Sequence, residues 1–459
     1  MRRVPRSLVC LAAAAAIAAV STLSLSGCIR RTDVGEGGRK RTQVSVAFWG
    51  GANEVIVVDK ILKKFEKLNP DIRVKRIHIA SDYNPKLQTM MAANRAPDVF
   101  YVLSQDCKDY LHKGALMDLA PFLARSKVIR YEDFFPVTVR QFKRGSSIYA
   151  LSWDWSPMVV FYNKTFFDQA GVPYPNEHWT WSDFLEAAKR LTVRDKSGRI
   201  IRYGTLHVPS WVWSQWIVQN GGRAFNDAGD RCIIDSPEAV EALQFQYDLT
   251  TKYHVAPPPN DPEAENSVYF MSGKTAMVFS YRWFITFLDP LKRWEWRVGP
   301  IPRGKTKYNL SGAVGFAMSS QCKHPRAAWR LIEYLCGPQG QADFVESRWG
   351  VPTLMKLAAD VERFEDPKHP HYNYRLFASE VKYSLVPPAS PYIPEQQFFS
   401  ICLQELDRLY LGIQNPAQTL RRIADQTNRI IRQNIARLRK QGRTSVGAEH
   451  TKGTRRGIC

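Results

Sequence analysis

The sequence predicts an α/β protein organised around a mostly parallel sheet covered on both faces, with enough chain for two domains. Three observations carry this. Between residues 43 and 103, apolar runs of strand length alternate with segments of helical period. The chain has 459 residues, and removing an export-type N-terminus leaves a body of about four hundred, too many for one hydrophobic core. No later stretch is apolar for long enough to span a bilayer. In such sheets ligands sit beyond the carboxyl ends of the strands. That rule places Trp49, Asn53, Tyr83 and Asp106 near one site, because each lies just past an expected strand end.

The N-terminus sets the compartment. Arg2, Arg3 and Arg6 precede an apolar run over residues 8–20 that is too short for an ordinary membrane span. Leu25, Ser26, Gly27 and Cys28 then resemble the bacterial lipobox, which implies cleavage before Cys28 and lipid attachment to it. The competing reading is an ordinary signal peptide with a chance cysteine. On the lipobox reading, residues 1–27 are a lipoprotein signal peptide and the polar residues 28–42 a flexible tether. The mature protein is then extracytoplasmic, periplasmic or at the cell surface, and held to the membrane by lipid.

Charge narrows the partners. Up to Thr42 there are eight Lys/Arg against two acids, and from Arg429 onward nine against one, so the two ends carry +6 and +8 of a formal +21. The body keeps +7, which makes nucleic acid a poor partner for an exported chain and an anionic membrane surface the better one for the ends. Of eight cysteines, Cys10 leaves with the signal peptide. Cys107, Cys232, Cys322, Cys336, Cys402 and Cys459 show no CxxC and no histidine neighbours, so neither metal nor cofactor is expected. Cys322 and Cys336 sit at opposite ends of one expected helix, about 20 Å apart at 1.5 Å per residue, and should not pair.

Within the body, residues 43–49 alternate and are β-branched before Gly50 and Gly51, a strand entering a turn. Val55, Val58, Ile61, Leu62 and Phe65 recur at helical spacing over residues 54–68, and Asn69-Pro70 stops that helix. Residues 72–79 and 99–103 read as strands, with a helix over 86–94 between them. Trp153, Asp154 and Trp155 stand just before an apolar run over residues 158–162, and we expect this segment to cross between lobes and line a sugar-sized cleft. The alternative is that both rings are core, as large aromatics usually are.

Residues 181–191 form an amphipathic helix opened by Thr180 or Ser182. Residues 210–220 carry Trp211, Trp213 and Trp216 and end at Gly221-Gly222. Successive helical positions turn by about 100°, so at least one of these rings should face away from the core. A helix over 237–253 is ended by Pro257, Pro258 and Pro259. Gly273-Lys274-Thr275 resembles the end of a phosphate loop, but Val268 occupies the position that needs glycine. Residues 325–335, 396–412 and 417–438 are further helices, and residues 439–459 a basic tail with little to bury.

The order of these segments resembles the carbohydrate-binding group of extracellular solute-binding proteins, the receptors of bacterial ABC importers. The likeness rests on the strand entering Trp49-Gly50 and a long helix, on Ala96-Pro97-Asp98-Val99 with Gly114-Ala115-Leu116-Met117-Asp118-Leu119, and on Phe161-Tyr162-Asn163-Lys164 with Trp179-Thr180-Trp181-Ser182-Asp183-Phe184. Gly273-Lys274-Thr275-Ala276-Met277 and Gly315-Phe316-Ala317 complete it. The resemblance implies a two-lobed periplasmic-binding-protein fold of type II, closing on its ligand like a hinge, with no enzymatic activity and no cofactor. It puts lobe 1 at residues 43–150 and 311–346, lobe 2 at 151–310 and 347–438, and the crossings near 149–155, 305–312 and 346–352. It implies ligand contacts from Trp49, Asn53, Asp106, Asp154, Trp283, Arg348 and Trp349, from Trp153 or Trp155, and from Trp211 or Trp213. It also implies a monomer that hands a carbohydrate to ABC permease subunits.

A sugar suits these residue types on independent grounds. Aromatic rings cover the apolar CH face of a pyranose, and charged or amide groups bond its hydroxyl rim at roughly 1.5–3 kcal/mol for a charged partner. Three rivals remain: a glycosidase using Asp106 and Asp154, the same receptor for an anionic sugar clamped by Arg348 and neighbouring lysines, and a structural lipoprotein.

Overall fold

The computed structural model describes residues 41–440 except 207–212, 259–260, 262–265 and 385–388. Cys28, Trp211, the tether and the basic tail therefore lie outside the described residues. Eight strands build two sheets. They are β1 (Thr42–Phe48), β2 (Ile72–His78), β3 (Val99–Leu103), β4 (Ala150–Trp155), β5 (Val159–Asn163), β6 (Met277–Ser280), β7 (Trp296–Gly299) and β8 (Ala313–Met318).

The first sheet runs β2-β1-β3-β8-β4. β1 pairs in parallel with β2 and β3, while β8 is antiparallel to both β3 and β4. The second sheet runs β6-β5-β7 and is wholly antiparallel. The first sheet is therefore mostly parallel in direction, as the βαβα order predicts, with β8 alone reversed between β3 and β4; the second sheet is not parallel. β4 and β8 lie where the chain leaves the first lobe and returns to it; β8 runs against its neighbours, and β4, antiparallel to β8, runs in the same direction as β1–β3. Leu151–Trp155 were assigned to the second lobe from sequence, yet they pair in the first sheet against Ala313–Phe316.

Local sequence explains the supporting helices. Ala52–Leu68 buries Glu54, Val58, Ile61, Leu62 and Phe65, one stripe at helical spacing laid on the first sheet. Trp181–Leu191 opens with a capping box in which the Thr180 hydroxyl accepts from the Asp183 amide and the Asp183 carboxylate accepts from the Thr180 amide. Glu395–Tyr410 and Pro416–Lys440 pack together and bury Ile401, Leu406, Leu409, Leu420 and Ile423 in one cluster with Trp216 and Phe279 of the second lobe. No described helix is long and apolar enough to cross a membrane.

Three crossings run side by side between the sheets. The Met158 amide donates to Asn309 Oδ1 at 2.9 Å, and Asn309 Nδ2 donates back to the Met158 carbonyl at 2.9 Å. Ser311 Oγ donates to the Ser156 carbonyl at 2.8 Å, and the Val351 amide to the Trp155 carbonyl at 3.0 Å. Asn309 is fully buried, so loss of its amide would leave both Met158 backbone groups without partners in a dry site.

Candidate functional site

A cavity of about 1860 Å³ lies between the sheets. Its wall on the side of the first sheet carries Trp49, Glu54, Tyr101, Trp153 and Asp154. The opposing wall carries Trp213, Tyr281, Trp283 and Trp349. Trp49 stands just past the end of β1, held edge-on against Tyr83 and Tyr101 with ring centroids 4.9 Å away in each case. Trp283 follows β6 in a short turn of helix, half-buried, with its edge against Phe284 and Phe287. Half-buried rings fixed by neighbouring rings offer a preorganised apolar face.

Two carboxyls lie at the inner end, and both are held well above the ordinary range. Burial pushes Glu54 up to about 8, helped by the charge on Asp154 and opposed by the Tyr101 hydroxyl. Burial likewise pushes Asp154 up to about 7, against the pull of the Arg282 guanidinium. Arg282 is itself buried and tied by Nη1 to the carbonyls of Val345 at 3.2 Å and Gly350 at 2.7 Å. Its burial lowers it to about 10. Two glycines make room for the acids. Gly50 has φ +128, and a Cβ there would sit 2.2 Å from Glu54 Oε2; a Cβ on Gly350 would sit 2.0 Å from Asp154 Oδ1.

The structure gathers Trp49, Trp153, Asp154, Trp213, Trp283 and Trp349 on this one cavity. Four other expected residues stand elsewhere. Asn53 is exposed on the first turn of its helix, one position before Glu54. Tyr83 donates its hydroxyl to the carbonyls of Ala47 and Tyr101, and so braces β1 and β3 rather than facing the cavity. Asp106 is buried and accepts from Asn84 Nδ2 at 2.8 Å, off the cavity lining. Arg348 donates to Asp289 at 2.7 Å and Asp366 at 3.4 Å and stacks over Tyr372, so its charge is engaged away from the cleft. Strand ends were the sequence signal for Asn53, Tyr83 and Asp106, and the family resemblance for Arg348; both fix position along the chain but not the direction of the side chain.

Trp153 and Trp155 are both 1 % exposed, yet only Trp153 borders the cavity. Trp213 and Trp216 are both buried, and the helix begins only at Ser214, so Trp213 precedes the helix on which the three rings were expected to sit together. Sequence reading missed Glu54, although it occupies the apolar stripe of its helix together with Val58 and Ile61, where an acid is out of place. It also missed Tyr101 and Arg282, which sit inside runs that look like core. The described cysteines are all free, and no cluster among the described residues is fit to hold a metal ion.

Comparisons with known proteins bear on this geometry. The family described as bacterial extracellular solute-binding protein matches residues 51–342. An uncharacterised lipoprotein of Streptomyces antibioticus is 25% identical over 325 residues, covering 67% of this chain and 69% of that protein. The arabinooligosaccharide-binding protein of Halalkalibacterium halodurans is 26% identical over 261 residues, covering 49% of this chain and 58% of the relative. Among solved structures, an ABC substrate-binding protein of Listeria monocytogenes in complex with cycloalternan superposes with a TM-score of 0.77 at 26% identity, covering 86% of this chain and 99% of the other.

Proposed function

The chain belongs to the bacterial extracellular solute-binding protein family, and on that premise we propose that it is the sugar-binding receptor of an ABC importer, built on the two-lobed type II periplasmic-binding-protein fold. It takes a sugar or oligosaccharide between its lobes and delivers it as a monomer to the permease subunits. The observation that carries this reading is the cavity between the sheets, where rings from both walls face paired carboxyls. Relatives named for an arabinooligosaccharide and for a cycloalternan complex support the same ligand class. Titration calorimetry against arabinotriose, maltotriose and cycloalternan tests it. Saturable one-to-one binding of at least one is expected, and silence from all three and from uronate-bearing and phosphorylated sugars alike removes the sugar reading.

Members of this family bind substrates for transporters, and we extend that to an absence of catalysis in this chain. In support, Asp106, which a glycosidase would pair with Asp154, is bonded to Asn84 away from the cavity. Incubation with the bound oligosaccharide should leave it intact, and released shorter sugars would contradict the reading.

The ligand contacts we assign are Trp49, Trp153, Asp154, Trp213, Trp283 and Trp349, with Glu54 added. We take the lobes as residues 43–155 with 311–346 and residues 156–310 with 347–438, because β4 belongs to the first sheet. If the three crossings act as a hinge, sugar should draw the walls together and lower the radius of gyration in solution scattering. Identical curves with and without a sugar that demonstrably binds would remove the clamp.

Anchoring by lipid at Cys28 is the remaining part of the proposal, supported by Leu25, Ser26 and Gly27 before it and by a lipoprotein among the relatives. Cys28→Ser should move the protein from the membrane fraction to the soluble one with sugar affinity unchanged. Retention in the membrane fraction would transfer the anchoring role to the basic ends.

A further inference from the structure

The cavity has a second end with different chemistry. Besides the rings and the inner acids, it is lined by Arg140, Arg144 and Arg437. Arg140 and Arg144 come from the first lobe, at the start of the 140–142 helical turn and in the small hairpin that follows it. Arg437 comes from the last turns of Pro416–Lys440, in the second lobe. The elements that carry them converge where the lobes meet. Helix Ser104–His112 packs against both the 140–142 turn and helix Glu395–Tyr410, which packs in turn on Pro416–Lys440. Asn434 Nδ2 fastens that last helix to the Tyr392 carbonyl at 2.8 Å, on the cavity wall.

These three guanidiniums differ from the rest of the arginines near the cleft. Arg282 donates through Nη1 to two carbonyls, and Arg348 pairs with two carboxylates. Among the described residues no carboxylate is ion-paired with Arg140, Arg144 or Arg437, and the one hydrogen bond made by these side chains runs from Arg144 Nη1 to the neighbouring Lys143 carbonyl. Asp109 and Glu395 also border the cavity, and Asp109 forms no ion pair with them. A guanidinium is planar, permanently charged and matched in shape to a carboxylate or phosphate. Three of them line one cavity and come from both lobes, Arg140 and Arg437 exposed and Arg144 half-buried.

We propose that this basic end is a subsite for an oxyanion substituent, carboxylate or phosphate, carried by the sugar ligand, so that the receptor selects an acidic saccharide. This deepens the sugar-receptor reading and rests on it. The neutral part of the ligand stacks at Trp283 and Trp349, and its anionic group reaches arginines of both lobes, which ties closure to the presence of the charge.

The test uses the full chain and probes matched except in charge: trigalacturonate against its methyl ester, glucuronate against glucose, and glucose 6-phosphate against glucose. We expect at least one acidic member to bind about tenfold or more tighter than its neutral partner, a gap of about 1.4 kcal/mol. The gap should narrow as ionic strength rises, because screening shortens charge interactions to within roughly 8 Å at 0.15 M. Arg140→Gln/Arg144→Gln/Arg437→Gln should collapse it below about threefold, while Arg297→Gln, outside the cavity, should retain it. The carboxylate and phosphate arms identify which oxyanion is favoured. Binding of neutral members as tight as or tighter than their acidic partners, or a gap that survives the triple substitution, overturns the subsite and leaves the sugar receptor standing. Absence of binding by every member, neutral or acidic, together with arabinotriose, maltotriose and cycloalternan, overturns both.

Discussion

Trp283→Ala is expected to weaken sugar binding by about tenfold or more while the melting temperature stays close to the parent value. A factor of ten corresponds to about 1.4 kcal/mol, which is within reach of one stacked ring whose CH–aromatic contacts are lost together. Stability should be spared because Trp283 is only half-buried and meets the core edge-on through Phe284 and Phe287. Phe284, by contrast, is fully buried one position later, and Phe284→Ala should cost about 3–5 kcal/mol of stability as a large core truncation. The pair separates a binding ring from a packing ring on the same short turn. If Trp283→Ala melts far lower and its folded fraction binds sugar normally, Trp283 is a packing residue and the cleft lies elsewhere.

Glu54→Gln should become progressively more stable than the parent as pH rises, by on the order of 5 kcal/mol at pH 9, since each pKa unit of displacement is worth about 1.4 kcal/mol. The sign follows from the protons. In the fold Glu54 holds its proton up to about 8, because burial and the charge on Asp154 disfavour the anion. In the unfolded chain it gives the proton up near the ordinary glutamate value. Between those two values the unfolded state binds fewer protons, so the parent loses stability with every unit of increasing pH. Glutamine carries no proton to lose and fills nearly the same space over Gly50. The parent and variant should therefore match near pH 4 and diverge up to about pH 8. Denaturant midpoints measured in steps across that interval decide the matter. A difference between the two proteins that does not change with pH would show that Glu54 is ionised in the fold across the whole range.

Much of the architecture was legible because it depends on local pattern. The strand at 99–103 and the helices Trp181–Leu191 and Pro325–Cys336 fell within a residue of the expected bounds, since apolar period, capping residues and proline or glycine stops act over one or two turns. The order of these segments, too, is a property of the chain alone, and it was enough to identify the family. The direction of the sheet partners was not legible. β4 and β8 are local strands like any other, and only the chain's return from the second lobe lays β8 antiparallel between β3 and β4.

The sequence by itself determined the two-lobed class, the export signal and the kinds of side chain available for a sugar. Tertiary structure decided which of those side chains meet. Asn53 and Glu54 are adjacent in sequence, but 100° of helical turn sends one to solvent and the other to the cavity lining, beside a glycine that leaves it room. Asp106 and Arg348 carry suitable charges, yet Asn84, Asp289 and Asp366 reach them first. Arg140 and Arg437 are almost three hundred positions apart, and they share a cavity only because the terminal helices pack back against the second lobe. Side-chain direction and long-range pairing depend on packing among distant segments, and a pattern that repeats every two or 3.6 residues carries no information about that packing.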